Sequence, residues 1–68
     1  MYLMVKDSNG DVISRELADF NPLDMSIEAK EDSFVLKINS SYELCERFSS
    51  KEAAIEKMDE ITRVANNY

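Results

Sequence analysis

Histidine and tryptophan are absent from the 68 residues, and cysteine, glycine and proline occur once each. Without histidine the chain lacks the side chain whose proton moves most readily near neutrality, so catalysis would require a buried carboxylate or lysine with a strongly shifted pKa. The acids fall mainly in turns or on the outer side of a helix, where such shifts do not develop, and the expectation is a protein that is not an enzyme. The lone Cys45 has no second thiol for a disulfide and no imidazole for a zinc site, so no cofactor is expected. Glu43 and Glu46 beside it oppose thiolate formation against the single cation Arg47, which makes Cys45 a small strand residue rather than a nucleophile.

Long apolar runs are missing as well. No stretch approaches the ~20 apolar residues of a membrane span. The apolar start, Met1 to Val5, meets Lys6 too early for a secretory signal. These features predict a protein of a reducing cytoplasm, bacterial or that of an infected host cell, with no membrane partner. Basic residues are also scarce, 8 against 14 acids for a net charge of −6. That charge repels a phosphate backbone, so no direct nucleic-acid binding is expected. Tyr2, Phe20, Phe34, Tyr42, Phe48 and Tyr68 are dispersed, without the interleaved bases of a stacking platform. Most fit a core; Tyr2, Phe20 and Tyr68 are the freest and are candidates to line a pocket between subunits.

What the chain does contain is a strand-like alternation followed by one amphipathic helix. Its length allows a single domain over residues 1–68. Residues 2–6 read as a strand, Asp7-Ser8-Asn9-Gly10-Asp11 as a hairpin turn in which Gly10 supplies a positive φ, and residues 12–17 as the return strand. Asn21-Pro22 lies in a connection. Met25, Ile27 and Ala29, then Phe34, Leu36 and Ile38, then Tyr42, Leu44 and Phe48 alternate with polar residues across short turns. The expected fold class is α+β: an antiparallel β-meander of about five strands with one C-terminal helix on one face.

The helix is read from Ser49 to Tyr68. Ser49 and Glu52 form a capping box with Phe48 as a staple, and Ala54, Met58, Ile61, Ala65 and Tyr68 make the buried arc, flanked by Ile55 and Val64. The outer side carries Glu52, Glu56 and Glu60 at helical spacing with Asp59 beside them, and Asp59 is placed to pair with Arg63. These four acids are the first candidate partner-binding group. Alternation sends Val35, Cys45, Leu3, Val5 and Ile13 to the uncovered sheet face with Lys37, Glu43 and Arg47. Val35 and Arg47 are therefore the second candidate group, and the face suits a homodimer.

Two further chemistries were weighed. The turn 7–11 opens like a calcium-binding loop, yet Val12 stands where that loop needs glycine and Ala18 where it needs glutamate, which leaves a plain hairpin and no metal site. Lys6, Arg15, Lys30, Lys37 or Arg47 facing phosphate at a subunit junction would instead serve to sequester a small nucleotide.

The run from Tyr42 to Ile61, with Glu52, Ala54, Met58 and Ile61 after a serine cap, resembles the ending of many small bacterial and phage-encoded proteins. Members with a known role act as accessory binders, including inhibitors of host defence. The resemblance covers about a third of the chain and carries no functional residue with it. It implies a non-catalytic binder, such as a phage inhibitor occupying a host protein with a basic surface by steric or phosphate-mimicking occlusion. The alternatives are nucleotide sequestration in an oligomer pocket and a self-associating structural or regulatory module.

Overall fold

The computed structural model describes residues 1–67. Five strands, β1 (Tyr2–Lys6), β2 (Val12–Glu16), β3 (Met25–Ala29), β4 (Phe34–Ile38) and β5 (Tyr42–Leu44), precede a single helix, α1 (Lys51–Asn66). All strand pairs are antiparallel, in the order β2-β1-β5-β4-β3. The fold is therefore the expected five-stranded antiparallel sheet with a C-terminal helix packed against it. A hairpin and a three-strand run meet at the β1–β5 pair, so the short β5 is the central strand.

Local chemistry explains the turns. In the first hairpin Asp7 Oδ1 accepts from the backbone N–H of Asn9 (2.9 Å) and Asp11 (3.0 Å), while the Gly10 N–H donates to Asp7 O at 3.0 Å. Gly10 has φ 85°, the positive value expected of the lone glycine. The carboxylate that a calcium loop would turn toward an ion closes the turn itself. Between β4 and β5, Asn39 (φ 53°) and Ser40 (φ 64°) both adopt the left-handed conformation without being glycine. Asn39 is held there by a two-way clamp: its N–H donates to Asp24 O, and its Oδ1 accepts from Asp24 N–H, both at 2.7 Å. From β2 the chain crosses to the far edge through a short 3-10 turn at Leu17–Asp19 and the cis Asn21-Pro22 peptide.

One face of the sheet forms the core. Leu3, Val5, Leu36, Ile38 and Leu44 from the strands meet Leu17 and Phe20 from the crossover, Phe48, and Ala54 and Ile61 from α1. The helix lies over β4 and β3. Phe20 closes the other end by an edge-on contact with Tyr42, ring centres 5.4 Å apart and planes at 76°. Phe20 is thus a core aromatic rather than one of the freest.

Three sequence expectations require correction here. Leu3 and Val5 face the helix side and are buried, Ile13 packs beside them, and Tyr2 and Met4 point outward instead. Tyr-Leu-Met-Val is apolar on both faces, so alternation alone did not fix the phase; pairing with β5 did. The helix cap is Ser50 rather than Ser49: its extended backbone (φ −142°, ψ 157°) lets Oγ accept from Ala53 N–H at 3.2 Å. That shift dissolves the capping box. Finally, β2 ends at Glu16, and Phe48 joins the sheet through an isolated bridge to Phe34 rather than through β5. Tyr68, placed in the buried arc by its spacing, lies outside the described residues.

Candidate protein-binding faces

With Ala54, Met58, Ile61, Val64 and Ala65 turned to the sheet, a helical repeat of 3.6 residues directs Glu52, Glu56, Asp59 and Glu60 to water, and all four are exposed. Ile55, read as a flank of the buried arc, is on this outer side and 38% exposed. Glu52 precedes it by three positions, Asp59 follows by four and Glu56 is adjacent, so an apolar side chain sits in an acidic frame. Lys57 Nζ pairs with Glu60 at 3.0 Å, in place of the anticipated Asp59–Arg63 pair, and draws Glu60 toward the side of the helix. The helix as a whole holds three bases against four acids. The attraction it can exert is therefore local to the Glu52–Glu56–Asp59 frame. Beside it, an open groove of about 490 Å³ runs between Glu46, Phe48 and Ala53 on one side and Glu56, Glu60 and Arg63 on the other. Among the described residues no three acidic, cysteine or histidine side chains come close enough together to hold a metal ion.

The opposite face of the sheet carries Val35 and Arg47, so the two candidate groups lie on opposite sides of the molecule and form no single site. Val35 does face away from the core cluster, but it has 0% exposure and can offer no contact surface. Its cross-strand neighbour Glu28 pairs with Lys30 at 2.9 Å, and Arg47 Nη1 donates to Ser33 Oγ at 3.4 Å. Long side chains lying over a small one can seal it without a second layer. The hydrogen bond and charge of Lys30 hold the Glu28 carboxyl below its ordinary pKa, and Glu28 in turn raises Lys30.

The bases considered as phosphate ligands are likewise divided. Lys6, Glu43 and Lys37 stand in one cross-strand row, and both lysines line a groove of about 440 Å³ with Ser8, Ser40 and Ser41. Glu43 between them offsets part of their charge. Lys30 and Arg47 lie elsewhere on that face, and Arg15 is on the helix side, its guanidinium 5.8 Å from the Tyr42 ring centre and donating to Tyr42 Oη at 3.4 Å. Cys45 is half-buried, its N–H donating to Met4 O at 2.9 Å.

Sequence reasoning missed four surface residues. Tyr2 is 73% exposed, Val12 55% and Met4 52%, and with Ile55 they are the large apolar side chains most open to solvent. The signal for Ile55 was its position at the margin of the helical arc; for Tyr2 and Met4 none existed, because β1 is apolar at every position before Lys6. No family model, curated protein or solved structure matches the chain.

Proposed function

We propose that this protein is a non-catalytic binder that docks the outer side of α1 on a basic surface of a partner protein and occludes it. The observation that carries this reading is Ile55, exposed within the Glu52, Glu56 and Asp59 frame. Acids at the rim of a contact speed encounter with a positive partner and disfavour wrong ones, whereas an apolar side chain at its centre supplies much of the affinity. Carboxylates spaced along a rigid helix also imitate the charge of a phosphate backbone, which suits occlusion of a nucleic-acid-binding surface. In the setting suggested by the resemblance, the partner is a host defence protein and the chain a phage inhibitor. The non-catalytic part of the reading is supported by the absence of buried polar or charged side chains among the described residues, since burial is the usual means of bringing a carboxylate or lysine into the neutral range.

The test is affinity capture from bacterial lysate with the native chain and with the triple variant Glu52→Lys, Glu56→Lys, Asp59→Lys. A specific partner should be retained by the native chain alone, released by raised salt, and weakened by Ile55→Ala. Equal capture by the triple variant would exclude the helix as the contact. A second reading, sequestration of a phosphate-bearing small molecule, is favoured by Lys6 and Lys37 sharing one groove; mass spectrometry of the purified protein for co-purified nucleotide tests it directly.

A further inference from the structure

Tyr2, Met4 and Val12 share the sheet face turned away from α1. Tyr2, Met4 and Lys6 alternate along β1 on that face, directly opposite Glu16, Ser14 and Val12 of β2. The two halves of this face differ. Over β3 and β4 the charged side chains seal Val35 completely, whereas over β1 and β2 the apolar side chains remain open, with Tyr2 73% exposed. Contiguous exposed apolar surface with a charged surround is the anatomy of an interface core and rim.

We infer that the occupant of this face is a second copy of the same chain, packed sheet to sheet about a two-fold axis that crosses the strands at Met4. That axis sets β1 against β1 in opposite directions. Met4 then meets Met4, and Lys6 of each copy lies over the Tyr2 ring and the Glu16 carboxylate of the other. The face is self-complementary, because its basic end and its aromatic, acidic end exchange places under the rotation. Its size is adequate: the molecule measures 34 × 27 × 16 Å, so the broad side projects on the order of 900 Å², against the ~800 Å² per partner of a stable interface. The central position of β5 places Cys45, bonded through its N–H to Met4 O, close to the axis. The resulting order of layers is helix, sheet, sheet, helix. Both acidic helix frames then face outward, so the dimer is bivalent toward its partner.

The experiment is sedimentation equilibrium on the full chain from about 1 to about 100 µM, together with cross-linking at Cys45 by a bis-maleimide of about 10 Å reach, the spacing of packed sheets. The dimer mass is expected, with Cys45 cross-linked to Cys45. Because Met4 is half exposed, Met4→Glu should keep the far-ultraviolet circular dichroism of the fold while weakening association about 30-fold or more. Val12→Lys is the second variant at the same patch and should act in the same direction. A monomer throughout the range would overturn the inference and leave the patch to a different protein. A dimer indifferent to both substitutions, or one whose cysteines do not cross-link, would overturn it equally. The triple helix variant should leave the dimer intact, which separates this test from that of the partner contact.

Discussion

Ile55 and Ile61 offer the same substitution on the same helix with opposite expected outcomes. Ile61 has 0% exposure and belongs to the core with Leu36 and Ile38, whereas Ile55 is 38% exposed on the outer side. Truncating a fully buried isoleucine to alanine costs about 2–5 kcal/mol, from lost transfer energy and the cavity left behind. For 68 residues at roughly 0.05–0.15 kcal/mol each, total stability is about 3–10 kcal/mol, so Ile61→Ala removes a large fraction of it. At Ile55 the loss of partial burial is offset by the better helix propensity of alanine, about 0.4 kcal/mol, and the net change should stay within about 1 kcal/mol. Urea unfolding followed by circular dichroism reads both, with unchanged slopes if the unfolded states are alike. Thermal midpoints should fall by roughly 10 °C or more for Ile61→Ala and by under about 8 °C for Ile55→Ala. Equal costs at the two positions, or a loss under about 1 kcal/mol at Ile61, would refute the placement of α1 on the sheet.

Ser50→Ala should cost about 1 kcal/mol in the same assay while Ser49→Ala stays near neutral, because Ser50 Oγ is the acceptor for Ala53 N–H. Ser40→Gly should raise stability by about 0.5–1 kcal/mol: φ 64° carries a steric cost for serine that glycine does not have, less the entropy glycine adds to the unfolded chain. In a carbon-detected NMR titration, Glu28 should titrate below the ordinary glutamate value, and Lys30→Met should return it toward that value. The sign follows from linkage. A lowered Glu28 contributes stability above its unfolded pKa that disappears as pH falls through the folded one, and a raised Lys30 contributes stability that disappears as pH rises through its folded value. Both groups are exposed, so the effect on the unfolding curve should be small.

The number and kind of elements follow from the sequence alone, because they depend on neighbours in the chain. Alternation at Met25–Ala29 and Phe34–Ile38, the single glycine in the first turn and the apolar stripe of α1 are local signals, and each element forms where those signals lie. The acidic outer side of the helix is legible for the same reason: once Ala54 and Ile61 are buried, the helical repeat decides which residues face water. Strand order is different in kind. That β5 inserts beside β1 depends on pairing across the whole chain, and that pairing in turn selects which face of the uniformly apolar β1 is buried. The same non-local contacts seal Val35 beneath charged side chains and leave Tyr2, Met4 and Val12 open. Composition and periodicity thus determined a small acidic sheet with one helix; tertiary packing alone decided which apolar residues remain at the surface, since exposure is set by what lies opposite a residue in space rather than beside it in the chain.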